Sequence, residues 1–110
     1  MTKPPRVELL WWDGCPSTEG ARALLEAALE EAGLDPGAIE LREVATNAQA
    51  VAEGFIGSPT IRIDGRDLQP PAADEPFGLT CRVYRLRDGR YSPTPDPTDL
   101  RAALAATKER

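Results

Sequence analysis

Residues 7–12 read Val-Glu-Leu-Leu-Trp-Trp, apolar at both odd and even positions apart from Glu8. A strand with one wet face alternates polar and apolar side chains, so a run that is apolar at both parities belongs in the middle of a sheet covered on both sides. The run ends at Asp13-Gly14 and passes through Cys15-Pro16-Ser17-Thr18 into residues 19–32. There Ala21, Leu24, Leu25, Ala28, Leu29 and Ala32 recur at the spacing of one helical face, and Arg22, Glu26, Glu30 and Glu31 take the other. A central strand that feeds a helix through a tight turn opens a strand–helix–strand unit, and a thiol stands at its junction.

The junction predicts a reactive sulfur. With Cys15 as N-cap and Pro16 as the first helical residue, where its missing N–H costs nothing, the sulfur faces the unpaired amides of the first turn. Those amides and the positive end of the helix dipole favour a thiolate. A cysteine that merely fills space is the alternative. Asp13 can accept or shuttle the thiol proton, although Asp-Gly is also a common turn pair. Ser17 and Thr18 suit the first helical turn and can touch the thiolate. Trp11 and Trp12 pack to opposite sides of the sheet, with Trp12 the alternative wall for a cysteine pocket.

The rest of the chain extends the pattern. Gly33 is placed for a left-handed helix end with Leu34 packing back, and Asp35-Pro36-Gly37 turns. Residues 38–44 read as a second strand, joined to the first by a right-handed parallel crossover. Thr46 or Asn47 caps a short helix to Glu53, ended by Gly54. Residues 60–63 form a third strand opened by Pro59, Asp64-Gly65 is a hairpin turn, and Arg66 to Leu68 returns. Residues 69–78, with Pro70, Pro71 and Pro76, form an irregular flap. Residues 79–86 read as a strand with Leu79, Cys81 and Val83 inward. Residues 87–90 turn, 91–95 link, and Asp96 caps a final helix with Pro97 first and Leu100, Ala103 and Leu104 inward.

The 110 residues fit one α/β domain, a mixed sheet flanked by helices, with frayed ends at 1–6 and 108–110. Net charge is −5, which argues against nucleic acid as a partner. Arg82, Arg85, Arg87 and Arg90 form one local basic cluster, read as a solvated strand face. The sequence has no histidine, which removes Cys-His and Ser-His-Asp machinery and histidine metal sites. No run is long and apolar enough for a membrane span. The first residues lack the pattern of a signal peptide, so a cytoplasmic setting is expected, where two cysteines read as reduced, catalytic or metal-linked.

Trp12-Asp13-Gly14-Cys15-Pro16 at a helix start, with Gly57-Ser58-Pro59-Thr60 opening a strand after a second strand and helix, resembles the thioredoxin-like superfamily. The resemblance implies Cys15 as nucleophile, a cis Ser58–Pro59 bond packed opposite it, and the Ser58 backbone edge as a ledge for a substrate segment. Trp12, Pro16, Ser17 and Thr18 complete the substrate-binding set. The superfamily's dithiol motif is Cys-x-x-Cys, and Thr18 stands where the second cysteine would be, so the implied chemistry is of monothiol type with no cofactor. The additional segment bearing Cys81 makes the chain similar to small bacterial thioredoxin-family proteins labelled as related to alkylmercury lyases.

The expected activity is thiol–disulfide exchange with a protein or small-thiol partner: Cys15 attacks a disulfide, and an external thiol or Cys81 resolves the mixed disulfide. Two other readings stand beside it. Cys15 and Cys81, with Asp13, could hold a soft metal ion or an organomercurial, or the domain could be a non-catalytic binding module. The periodicity of residues 79–83 places Cys81 in the core, whereas a resolving role needs it beside Cys15.

Overall fold

A computed structural model describes residues 4–107. Its main sheet contains β1 (Val7–Trp11), β2 (Glu40–Glu43), β3 (Thr60–Ile63) and β4 (Arg66–Asp67), in the order β2-β1-β3-β4. β1 is parallel to β2, with Leu9 opposite Leu41, and antiparallel to β3, with Leu9 opposite Ile61. β3 turns back antiparallel into β4. Among the described residues there are three α-helices, α1 (Thr18–Glu31), α2 (Asn47–Glu53) and α3 (Pro97–Thr107), and none is long and apolar enough to cross a membrane.

The parity of β1 explains the layering. Val7 and Leu9 join Ile61 and Ile63 against Ala21, Leu25 and Leu29 of α1 and Leu100 and Leu104 of α3. On the opposite face Leu10 packs with Val44, Ala50 and Phe55 beside α2. Each fully buried leucine contributes about 1.5–3 kcal/mol relative to exposure. Glu8, the one charge in the strand, is only 3 % exposed and lies on the α2 face. Arg42 reaches its carboxylate at 2.7 Å and holds Glu53 at 2.8 Å, so the buried charge is paired.

Local signals set the element ends. α1 closes through Gly33 at φ +74°, with the Leu34 N–H bonded to the Leu29 carbonyl and the Gly33 N–H to that of Glu30. Thr46 and Gln49 cap α2 reciprocally, and Gly54 ends it at φ +66°. Asp64 and Gly65 both take positive φ, as a two-residue hairpin turn requires. The Asp96 carboxylate accepts from the N–H groups of Thr98, in the first turn of α3, and of Arg87.

Several expectations are corrected. The second strand is shorter than 38–44, because Pro36–Ala38 winds into a 3-10 turn, and it lies at the sheet edge with Leu41 44 % exposed. Residues 79–86 are not one strand. Cys81 makes a single parallel bridge to Ser58, and only β5 (Tyr84–Arg85) is regular, pairing with β6 (Tyr91–Ser92). Part of the expected 91–95 linker is therefore a strand. Arg6, expected in a frayed end, donates its N–H to the Asp64 carboxylate, accepts from the Asp64 N–H at its carbonyl and pairs with Glu40. The expected fraying at 1–3 and 108–110 lies outside the described residues.

Candidate functional site

Cys15 sits just outside α1 rather than at its cap. Its N–H closes a turn onto the Trp12 carbonyl at 3.0 Å, Ser17 is the N-cap, and Pro16 precedes the helix. The expectation of Cys15 as N-cap and Pro16 as first helical residue is thus displaced by two positions, because the chain turns once after β1 and again at Pro16-Ser17 before it winds. The first turn is tight: a Cβ on Gly14 would fall 2.4 Å from the Trp12 ring. That ring packs on the α2 side of the core, while Trp11 lines the groove beside Cys15, so the pocket wall is Trp11 and not Trp12.

Cys15 is 8 % exposed, and its sulfur is surrounded by polar groups. Burial is the largest single influence on its pKa and pushes it up. The Ser17 amide, Ser58, the Cys81 thiol and the Ser17 hydroxyl together outweigh burial, and the net shift is downward. As a thiol, Cys15 donates to the Ser58 carbonyl at 3.2 Å; as a thiolate it accepts from these donors. The helix dipole is not needed for the outcome, since direct hydrogen bonds to the anion do the same work at closer range.

Cys81 proves to be the neighbour of Cys15 and not a core residue. Its side chain is exposed, its backbone bridges Ser58, whose carbonyl accepts from the Cys15 thiol, and its thiol is among the groups that lower the Cys15 pKa. Burial, together with the Cys15 hydrogen bond and charge, raises the Cys81 pKa, so within the pair Cys15 takes the negative charge and Cys81 keeps the proton. The inward face of this segment is the opposite one. Arg82 is 6 % exposed and Tyr84 is fully buried, whereas Val83 is 60 % exposed. Arg82, expected on a solvated face, makes a two-pronged pair with Asp67 at 2.7 and 2.8 Å, donates to the Gln69 carbonyl, and lies 4.3 Å from the centre of the Tyr84 ring. The Tyr84 hydroxyl donates to the Pro59 carbonyl at 2.6 Å.

These contacts anchor the Cys81 segment against residues 57–60. Ser58 donates its N–H to the Thr80 carbonyl and accepts from the Arg82 N–H, each at 2.8 Å. The Ser58 edge expected as a substrate ledge is therefore covered by the chain itself. The Ser58–Pro59 bond is cis, and the Ser58 hydroxyl accepts from the Trp12 N–H at 3.1 Å, so residues 12–15, 57–59 and 80–82 meet at one point. Gly57 permits the approach. It stands at φ +150°, and a Cβ there would meet the Arg82 Cβ at 2.9 Å.

Against models of protein families, the curated proteins and the solved structures, the chain matches none. The site's meaning rests on its own geometry. A groove of about 380 Å³ beside Cys15 is lined by Trp11, Asp13, Thr18 and Leu41 among others. Asp13 is on the groove wall and exposed, in reach of a bound molecule. Thr18 Oγ1 is buried without a hydrogen-bond partner among the described residues. Cys81 opens on a different groove, of about 360 Å³, between the 69–76 flap and Val83. Among the described residues no cluster of three or more Cys, Asp or Glu could hold a metal, which leaves the two sulfurs as the soft donor set.

Sequence reasoning missed Arg82, Asp67 and Tyr84 as the frame of the site. One signal existed: Tyr84 is in phase with Arg82, so the large aromatic side chain lay on the parity opposite to Cys81.

Proposed function

We propose that this chain is a thioredoxin-like thiol–disulfide oxidoreductase in which Cys15 is the nucleophile and Cys81 the resolving thiol. The observation that carries the reading is the meeting of both cysteines at Ser58, Cys15 on its carbonyl and Cys81 in a bridge to it, with the charge biased onto Cys15. The sheet order, with β3 antiparallel to both neighbours, and the position of Ser58–Pro59 beside Cys15 support the superfamily assignment. Thr18 cannot resolve a mixed disulfide, and Cys81 takes that part from a distant point in the sequence.

The exchange proceeds in two displacements. The Cys15 thiolate attacks one sulfur of a disulfide R–S–S–R, forming a Cys15–S–S–R bond and expelling one thiolate, which takes a proton from water. Cys81 then loses its proton and attacks the Cys15 sulfur, expelling the second thiolate and leaving a Cys15–Cys81 disulfide. The substrate gains two electrons and the protein loses two. An external thiol returns them most readily by attacking the exposed Cys81 sulfur, because Cys15, with the lower pKa, is the better leaving group.

The test is to treat the reduced protein with bis(2-hydroxyethyl) disulfide and follow thiols and mass. The expected product lacks two hydrogens and has both cysteines blocked. Cys81→Ala should stop at a stable mixed disulfide on Cys15, and Cys15→Ala should leave Cys81 largely free. If Cys81→Ala turns over with external thiol as fast as the wild type, Cys81 has no resolving role. A thiol pair is also a two-coordinate site for a soft ion. Stoichiometric mercuric-ion binding that needs both cysteines, in a protein that exchanges no disulfide, would favour that second reading.

A further inference from the structure

Resting on the thiol–disulfide reading, the geometry points to the class of disulfide Cys15 accepts: a small, positively charged molecule, in preference to an extended protein segment or an anionic disulfide such as oxidised glutathione. Two independent features carry this.

The first is the covered ledge. A protein segment docks beside a sulfur by adding its backbone to an open edge, which needs an unpaired N–H and C=O. Next to Cys15 those groups belong to Ser58, and both are committed at 2.8 Å to Thr80 and Arg82. The covering segment is held by the buried Arg82–Asp67 pair and by the Tyr84 hydroxyl on Pro59. Displacing it would break the buried Arg82–Asp67 pair and free the Tyr84 hydroxyl from its acceptor. A protein substrate thus has no backbone to pair with.

The second is the groove that Cys15 lines. Its volume of about 380 Å³ is of the size that holds a small molecule. Asp13, Glu19 and Glu43 line it, and among the described residues none of the three is paired with a cation. Arg22, the one cation on its wall, is drawn toward Glu26 at 3.9 Å. Trp11 and Leu41 supply an apolar wall. A cleft lined by one sign of charge raises the local concentration of the opposite sign and repels its own, by factors of about 10 to 1,000 in rate. In the first displacement a cationic R–S–S–R releases a thiol that carries its positive charge out of the groove, and the protein again supplies both electrons.

The experiment measures the rate at which the reduced protein consumes cystamine, bis(2-hydroxyethyl) disulfide and oxidised glutathione at low and high salt. Each rate is divided by that of 2-mercaptoethanol thiolate with the same disulfide, which removes intrinsic reactivity. The expected normalised preference for cystamine over oxidised glutathione is about tenfold or more at low salt, shrinking at high salt and in the Glu19→Gln/Glu43→Gln variant. Reduction of insulin by dithiothreitol should be no faster with the protein than without it. A normalised preference of one or below, or accelerated insulin reduction, overturns the proposal. Failure to react with all three disulfides, with Cys15 still open to alkylation, overturns the thiol–disulfide reading itself and the selectivity with it.

Discussion

Cys15 shows how a few donors decide the state of a buried sulfur. Burial alone would keep the proton on; the Ser17 amide and hydroxyl, Ser58 and the Cys81 thiol reverse the sign. The expected consequence is a Cys15 alkylation rate whose midpoint in pH lies below the ordinary thiol value of 9.0. In Cys81→Ala one donor to the thiolate is lost, so the midpoint should move up while the limiting rate at high pH changes little. Iodoacetamide kinetics with peptide mapping would check both, and an unmoved midpoint would mean that Cys81 does not stabilise the thiolate. Tyr84 acts at the same scale by another route. Burial pushes its phenol up, so the hydroxyl stays protonated as the donor to the Pro59 carbonyl.

The element that makes the site is the irregular stretch 79–83, laid across the entry to β3 by one parallel bridge. Its orientation was illegible from alternation because both parities carry an apolar side chain: Leu79 and Val83 on one, Tyr84 on the other. What decided between them was a pairing between distant residues. Asp67 in β4 offers a carboxylate that Arg82 meets with two hydrogen bonds, and with Arg82 inside, Cys81 points out on the side of Cys15. Gly57→Ala tests this placement. The added methyl would crowd the Arg82 Cβ at a backbone angle that side chains rarely adopt, at a cost of about 1–3 kcal/mol. The segment should lift, and air or diamide should then join Cys15 to Cys81 far more slowly than in the wild type, as read by loss of free thiols. Arg82→Ala should give the same defect with a larger loss of stability, about 3–5 kcal/mol by denaturant titration, because it strands the Asp67 carboxylate.

For the whole molecule, with a radius of gyration of 13.5 Å, charge is the lever that pH can move. Glu40, Asp88 and Asp96 have lowered pKa values, from the Arg6 hydrogen bond, the Arg90 backbone and the Arg87 backbone respectively. A lowered carboxylate contributes stability above its unfolded value and loses it as pH falls through the folded one. Thermal midpoints should therefore hold level from neutral pH down to about pH 5 and fall below it. Asp96→Asn should lower the midpoint at neutral pH and lose less on acidification, since the 87–90 turn and the start of α3 share that carboxylate. A midpoint unchanged by acid would show that these contacts carry no net stability.

The sequence by itself determined the frame. The two-parity apolar run at residues 7–10, the helical spacing of Ala21, Leu25 and Leu29, the Thr46 cap and the Asp64-Gly65 turn are local signals, and local backbone and burial preferences are strong enough to place strand, helix and hairpin. It also marked Cys15 as the sulfur at the strand–helix junction. Only the tertiary structure decided that Ser17 and not Cys15 caps the helix, that the chain covers its own Ser58 edge, and that Cys81 meets Cys15. The covered edge and the approach of Cys81 to Cys15 depend on pairings across 15 to 66 positions of chain, such as Arg82 with Asp67 and Cys81 with Cys15. No local preference encodes a partner that distant; burial of the Arg82–Asp67 pair fixes which face of the segment turns inward.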